Sequence, residues 1–516
     1  MLTRRAAIKS LNTLGLGTLA LGSGMGWRST GYAQQSPVVT NQLKIPAQEP
    51  GVVSADVRTF NLNLQRGSSN FLPGQTTATF GINGSYLGPT LRFHRYETVR
   101  LRVANQLEET TTLHWHGFHL PPTEDGGPHQ PIATGDTWNP SFEILQYAGT
   151  YWYHSHVLHK SGEQVYKGLA GMIIVEDEQQ QLELPSEYGV DDVPLIVQDR
   201  RFNEDGSFDY LTRFEDNVMG MMGDTILVNG THQAVFRART RLLRLRLLNG
   251  ANARSFDFAF ADGREFQQIA SDGGLLQDAV AMSNLQLAPA ERAEILVTLN
   301  PGEQLQLVSL GKESNFPQYP GAMSRMMRSL NAQAFALLTI QCDSQLEDRF
   351  DSVTQLSSIF RLPPAAATNV RRFTLAMGAG TRSGDDRGPG TGARNGTGGG
   401  YGGGNFYING RSMTMNFINE RIKLNTTEIW EVNNTSPMMH PFHIHNGQFQ
   451  LLDRNGNPPP ANEMGWKDTV KIGSGETVRL IMRFTDYTDE SNPYMFHCHI
   501  LEHEDRGMMG QFILVE

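Results

Sequence analysis

Three segments of the chain repeat one pattern, and that repetition limits the possible folds more than any other feature. Phe80 to Gly84 reads Phe-Gly-Ile-Asn-Gly, Thr225 to Gly230 reads Thr-Ile-Leu-Val-Asn-Gly, and Phe406 to Gly410 reads Phe-Tyr-Ile-Asn-Gly. In each, an Asn-Gly turn follows an apolar strand and a second strand comes soon after. Val99, Leu101 and Val103 then alternate with Arg100 and Arg102, ending at Asn105. Leu243, Leu245 and Leu247 alternate with Arg244 and Arg246, ending at Asn249. Such alternation is the period of a half-buried strand. The third copy is weaker, with Trp430 and Val432 before Asn433. Three copies of one all-β sandwich is the economical reading, and a length of 516 residues fits three domains.

The spacing from second to third copy is longer than from first to second. Gly378 to Gly404 accounts for most of the excess. It is Gly-rich and almost without apolar side chains, so it cannot bury a core and is expected to be a loop or linker.

The N-terminus reads as an export signal. Arg4 and Arg5 form a twin-arginine pair, an apolar run follows from Leu11 to about Met25, and Gly31-Tyr32-Ala33 supplies small residues for cleavage. The run is short and Gly/Thr-rich for a membrane span. A mature protein outside the cytoplasm, in a bacterial periplasm and without a membrane anchor, is expected. The net charge of -10 leaves no basic surplus for a nucleic-acid backbone. The only two cysteines, Cys342 and Cys498, exclude a disulfide scaffold beyond one bridge. Cys342 is expected to be a small buried apolar residue.

The chemistry lies in the histidines. Four pairs have the form His-x-His: His114/His116, His154/His156, His443/His445 and His497/His499. Chance predicts roughly 0.4 such pairs by template counting. Two residues apart on a strand, both side chains share one face, so each pair offers two imidazoles to one site. Convergent imidazoles without carboxylates suit copper better than calcium or magnesium. His440 opens His440-Pro441-Phe442-His443-Ile444-His445, and the last cluster runs from His497 through Cys498, His499 and His503 to Met508. One thiolate, two imidazoles and a thioether form the ligand set of a blue-copper centre. Cys498 points to the opposite strand face from His497 and His499, which gives a covalent path of a few bonds between centres.

These motifs resemble the three-domain multicopper oxidases, and among them the bacterial copper-efflux oxidases and bacterial laccases. His-Trp-His-Gly at 114–117, His-Ser-His at 154–156, His-Pro-Phe-His-Ile-His at 440–445 and the stretch 497–508 carry the resemblance, with Gly465-Trp466-Lys467-Asp468-Thr469-Val470 and Glu502-His503-Glu504-Asp505 beside them. The resemblance implies three consecutive cupredoxin-like Greek-key β-sandwich domains and four copper ions per chain. The expected boundaries are a signal peptide at 1–33, domains at 45–180 and 185–345, a linker at 346–404, and a third domain at 405–516 that could start near 370. A type 1 copper would sit on His440, Cys498, His503 and axial Met508. A type 2 copper would sit on His114 and His443. One type 3 copper would use His116, His154 and His499, its partner His156, His445 and His497. Asp125 and Glu504 match acidic residues that would relay protons to reduced oxygen. His94, His119, His129, His159 and His232 fall outside the matched positions and read as ordinary surface or neighbouring residues.

The implied reaction couples four one-electron oxidations to reduction of dioxygen to two waters, with a phenolic or other organic donor, or Cu(I), in a monomer. The donor end departs from the copper-efflux oxidases. Met438 and Met377 are kept, and Met323, Met326, Met327, Met413 and Met415 could add to a methionine surface. Ser436 stands where those oxidases have an acid, and in the Gly-rich loop only Asp385 and Asp386 are acidic. The alternative is a copper-binding or structural cell-envelope relative without turnover. Cell-division relatives of this fold lack the ligands, whereas all eleven His and Cys positions are present here.

Overall fold

In each repeat the Asn of the Asn-Gly turn does the same job. Asn83, Asn229 and Asn409 adopt left-handed φ values of 55°, 50° and 53°, a conformation that Asn tolerates better than other side chains. Each then acts as one more rung of the adjoining strand. The Oδ1 of Asn83, Asn229 and Asn409 accepts from the backbone N–H of Asn63, Ile196 and Thr374, each at 2.8 Å. Their Nδ2 groups donate to the carbonyls of Asn61, Pro194 and Arg372.

A second asparagine repeats at the end of the alternating strand. Asn105, Asn249 and Asn434 each accept from the N–H two residues on, of Leu107, Ala251 and Ser436. Each donates to two loop carbonyls as well. The third member is therefore Asn434, one residue beyond the Asn433 expected from the pattern.

The computed structural model describes residues 41–177, 182–311, 332–350, 354–378 and 406–516. The signal segment 1–33, nearly all of the Gly-rich stretch, Asp385, Asp386, Met323, Met326 and Met327 lie outside the described residues. Among the described residues no helix is long and apolar enough to cross a membrane.

The described strands form six sheets, two in each of three sandwiches. The three share one Greek-key connectivity. In the first, Val57–Ser69 pairs in parallel with Thr98–Asn105, and Thr90–His94 with Ala170–Glu176. In the second, Asp192–Arg200 pairs with Leu242–Asn249, and Ala234–Thr240 with Phe335–Glu347. In the third, Ala367–Met377 pairs with Thr426–Asn434, and Glu420–Lys423 with Met509–Val515. Ala367–Met377 thus pairs within the third sandwich, for which the sequence offers starts at 405 and near 370. Its Phe373 and Leu375 join the core around Trp430 and Phe496. Each sandwich has its own apolar core, the first around Trp115 and Leu101, the second around Leu245 and Phe258. Cys342 is only half-buried, at the margin of the second core.

The half-buried reading holds for Thr98–Asn105, whose Arg100 and Arg102 face solvent. It fails for Leu242–Asn249, where Arg244 and Arg246 are buried. Their guanidinium groups meet Glu294 and, for Arg246, Asp192, while Thr150 of the first sandwich donates its hydroxyl to Glu294. The polar face of this strand is an interface between two sandwiches. Burial acts to raise the Glu294 carboxyl, but Arg244 and Arg246 outweigh it and hold the group at about 2.

That shift has a stability consequence. A carboxyl with a lowered folded pKa stabilises the fold above its ordinary value of 4.5, and that contribution is lost as pH falls toward about 2. Glu294→Gln should cost about 3–5 kcal/mol near neutral pH by stranding buried arginine charge. The gap from wild type should narrow as pH falls from about 4.5 to about 2. Thermal unfolding across pH tests this, and a gap independent of pH would remove the ion pair as its cause.

Candidate metal centre

Strand register brings one histidine of each His-x-His pair together, and His156, His445 and His499 lie just past the ends of their strands. In the first sandwich one sheet runs Gln48–Glu49, Thr90–His94, Ala170–Glu176, Gly149–His154, His114–His116, so His114–His116 is an edge. His154 lies opposite His114 in that antiparallel pairing. In the third sandwich His443 lies opposite His497, and Phe442 opposite Cys498. Between the histidines, Trp115 points the other way into the first core, as the two-residue period requires.

The two sandwiches meet ring against ring. His114 stacks on His445 with centroids 3.9 Å apart, and His116 on His443 at 3.7 Å. His154 and His156 stack edgewise around them, and His497 and His499 close the far side. All eight side chains are buried.

Nearly every imidazole has one nitrogen committed to an oxygen on its outer side. The Nδ1 of His114 lies 2.8 Å from the Asp125 carbonyl, that of His443 2.8 Å from the Asp468 carbonyl, and that of His154 2.9 Å from the Ser155 carbonyl. The Nδ1 of His445 lies 2.7 Å from Asp125 Oδ2, and that of His156 3.0 Å from Glu504 Oε1. His497 Nδ1 has both the Cys498 carbonyl at 3.1 Å and Glu504 Oε2 at 3.2 Å. In His116 the order is reversed: Nε2 faces Asp468 Oδ1 at 3.0 Å and Nδ1 faces inward. Carbonyls and carboxylates only accept, so these outer nitrogens carry the protons and the inner ones present lone pairs.

Those inner nitrogens converge. His156 Nε2 and His445 Nε2 each lie 3.2 Å from His497 Nε2. The Nε2 of His114 and of His443, and both ring nitrogens of His499, are buried without a hydrogen-bond partner. Burial pushes His114, His116, His154, His443, His445 and His499 well below the ordinary histidine value. Neutral imidazoles with crowded lone pairs form an arrangement that a cation relieves. Compact donor groups include His114/His116/His154, His114/His443/His445 and His156/His445/His497. A further group, His116/His443/Asp468, is better read as an orienting cluster, because Arg292 occupies both oxygens of Asp468.

Two carboxylates border the cluster. Burial pushes the Asp125 carboxyl up to about 7, against the lowering influence of His156. Its Oδ1 is buried without a partner. Burial also acts to raise Glu504, but His156 and His497 outweigh it and hold the group well below the usual range.

A second centre lies one residue away. Cys498, His440 and His503 form a compact, fully buried donor group. His440 Nδ1 is 3.3 Å from the Cys498 sulfur, and His503 Nδ1 is 3.7 Å from it. Their Nε2 atoms face outward, that of His440 to the Ser436 hydroxyl at 2.6 Å and that of His503 to the Val218 carbonyl at 3.1 Å. Met508 is buried in the same apolar cluster and accepts the Cys498 N–H at its carbonyl. Burial pushes the Cys498 thiol up, so a thiolate here needs a cation beside it.

The remaining histidines have other partners. His119 meets the Asn446 carbonyl and Asp486, His129 meets Gln511, His159 the Asp505 carbonyl, and His232 the Ile226 carbonyl. His94 lies 3.8 Å from Glu176. Sequence reasoning missed three contributors: Arg292, which grips Asp468; Val218, which caps His503; and Phe406, stacked on His503 at 4.0 Å. Asp468 was visible in its motif, but nothing in the sequence assigned it a partner.

Comparison with known proteins agrees with this geometry. Three family models, each described as multicopper oxidase, match residues 63–180, 202–309 and 390–516. The chain is 34% identical over 460 residues to the multicopper oxidase mco of Staphylococcus haemolyticus, covering 88% of each. It is also 34% identical over 461 residues to the cell division protein FtsP of Photorhabdus laumondii, covering 88% of this chain and 89% of that one. The solved structure of a bacterial laccase-like multicopper oxidase from the lignin-degrading Ochrobactrum sp. superposes with a TM-score of 0.79 at 33% identity, covering 92% of this chain and all of that one. With the motifs, the three sandwiches and the buried donor sets all in agreement, the chain belongs to the multicopper oxidase family.

Proposed function

We propose that this protein reduces dioxygen to two waters with electrons taken one at a time from an organic, phenol-type donor. The observation that carries the reading is the set of ten buried imidazoles and one buried thiol, of which nine imidazoles and the thiol fall into compact donor groups. Four copper ions would supply the redox chemistry, each storing one electron, so that dioxygen receives four without releasing partly reduced species. His440, Cys498, His503 and Met508 would hold the type 1 ion. His114 and His443 would hold the type 2 ion. His116, His154 and His499 would hold one type 3 ion, and His156, His445 and His497 the other.

The chain's own residues do the rest. Cys498 ends the strand Tyr494–Cys498 and is flanked in the chain by His497 and His499, so a few covalent bonds would link the thiolate centre to the imidazole cluster. Asp125 accepts the His445 N–H, Glu504 lies 3.0 and 3.2 Å from the Nδ1 atoms of His156 and His497, and both can pass protons inward.

The donor reading rests on the surroundings of His503 and His440. Met438 is 2% exposed within the third core, so its thioether is not offered to an arriving ion. Ser436 is spent on His440 and on the Asn434 side chain, and it supplies no negative charge. Phe214, 60% exposed, sits on the short helix Phe214–Met219 that covers His503, which suits an aromatic donor. Export by the twin-arginine signal to a periplasm completes the proposal.

Oxygen-electrode rates with a dimethoxyphenol, bilirubin and Cu(I) test the donor. Saturable uptake with the phenol is expected, with much weaker uptake on Cu(I) alone. The reverse ranking would reassign the protein as a cuprous oxidase. The equal identity to FtsP motivates a second reading, a structural relative without turnover. Copper loading decides between them: the oxidase shows a blue band, roughly near 600 nm for a Cu(II)–thiolate centre. A fully loaded protein without that band contradicts the assignment of Cys498.

A further inference from the structure

We propose that Arg292, from the middle sandwich that holds no member of the donor set, is a positioning residue for His116. It acts through Asp468 to fix which nitrogen of His116 faces the cluster. The inference rests on reading His116 as a ligand.

The geometry is one of full commitment. Arg292 is completely buried, and its five N–H donors are all used. Nε donates to the Thr150 carbonyl of the first sandwich at 3.1 Å. Nη1 and Nη2 grip Oδ1 and Oδ2 of Asp468, in the third sandwich, at 2.7 and 2.6 Å. The same two nitrogens also donate to the carbonyls of Ala290 and Asp272 in its own sandwich. One side chain therefore fastens three sandwiches at a point beside the cluster.

The fork decides what Asp468 can do. With Arg292 gripping both oxygens, the carboxylate is fixed in plane. Oδ1 then also accepts from Thr469 Oγ1 at 3.0 Å and from His116 Nε2 at 3.0 Å. His116 Nε2 must carry the proton, so Nδ1 keeps the inward lone pair, opposite to the arrangement in its neighbours His114 and His154. The backbone carbonyl of the same Asp468 orients His443, on which His116 stacks.

An independent observation comes from the glycine that follows His116. Gly117 has φ of 88°, and a Cβ there would lie 2.4 Å from Asp468 Oδ2 and 3.0 Å from Arg292 Nη2. The backbone after His116 approaches the ion pair so closely that only glycine fits. The Gly of His-Trp-His-Gly serves the Arg292–Asp468 fork.

The test compares wild type with Arg292→Lys, Arg292→Met and the double variant Arg292→Met/Asp468→Leu. The double variant removes both buried charges together, a change that is often neutral for stability. Arg244→Lys, another buried arginine of the same sandwich away from the histidines, is the control. In copper-loaded protein, stripping with a chelator should release the most weakly held ion about 10–100-fold more readily in the three Arg292 variants, the range expected for loss of a residue that orients a ligand. The blue band should persist. Lysine keeps the charge but not the fork, so it should not rescue. In metal-free protein labelled with ¹⁵N-histidine, His116, identified by its loss in His116→Gln, should be the Nε2–H tautomer in wild type and in Arg244→Lys. It should lose that preference in the Arg292 variants. Unchanged His116 tautomer in folded Arg292→Met or in the double variant overturns the proposal, and so does loss of the blue band in step with the other ions. A wild type that binds no copper would refute the ligand reading instead, and the tautomer measurement would still decide the role of Arg292.

Discussion

Cys498→Ser abolishes the blue band and brings oxygen uptake down to the rate of the copper-free chain, while the fold survives. The sulfur is the only thiol within reach of His440 and His503, at 3.3 and 3.7 Å, and a hydroxyl cannot replace a thiolate as a soft, electron-conducting ligand. The substitution is small in volume. The serine oxygen can still accept the Ile500 N–H that the sulfur accepts now. Unfolding of the metal-free protein should therefore shift by only about 2–4 °C, the size of a ~1 kcal/mol change in a large domain. The two imidazole pairs 443/445 and 497/499 stay in register, since Phe442 and its neighbours set the pairing. Copper bound per chain should drop by the type 1 ion alone. Absorbance, copper analysis and oxygen uptake on one sample check all three statements, and a blue Cys498→Ser protein would overturn the assignment of the thiolate.

Asp125→Asn should slow turnover by about 10²–10⁴-fold, the range for removing a positioned proton donor. The introduced amide oxygen would still accept the His445 Nδ1 proton that Asp125 Oδ2 accepts at 2.7 Å, so the imidazole keeps its orientation. The backbone carbonyl that orients His114 is untouched. What is lost is a carboxyl that can change charge beside the cluster. The blue band and copper content should stay at wild-type levels, with the donor KM near its wild-type value, because the proposed donor edge lies at His503. Asp125→Glu should recover part of the loss. A rate within about threefold of wild type would assign the proton path to Glu504 alone.

Both predictions draw on residues that the sequence already singles out, so much of the site is legible before any fold is known. His-x-His spacing is a local rule: two residues along a strand bring two side chains to one face. The donor types then limit the metal. The repeated Asn-Gly turns work the same way, since a left-handed Asn and its side-chain bonds are set by near neighbours in the chain. The pattern puts the third asparagine one residue early because that copy is degraded, and its identity depends on bonds to Met438 and Ile472 that spacing does not reveal. The sequence leaves the strand Ala367–Met377 open between the linker and a third sandwich starting near 370. Much of the strand is exposed, and its pairing with Thr426–Asn434 spans the Gly-rich stretch.

The sequence alone thus determined the three β-sandwiches and the family, and it singled out the ten imidazoles and one thiol proposed as the donor set. Only the tertiary structure decided the electrostatics around that set. Arg244 and Arg246, which alternate as solvent-facing residues should, are buried between sandwiches. His503 is capped by a carbonyl of the middle sandwich, and His116 is oriented through an ion pair whose arginine lies 176 residues away in the chain. The physical reason is the range of the forces. Side-chain direction along a strand is fixed by bonded geometry within a few residues, whereas a buried charge is compensated by whatever group the fold brings to it, from any distance in sequence.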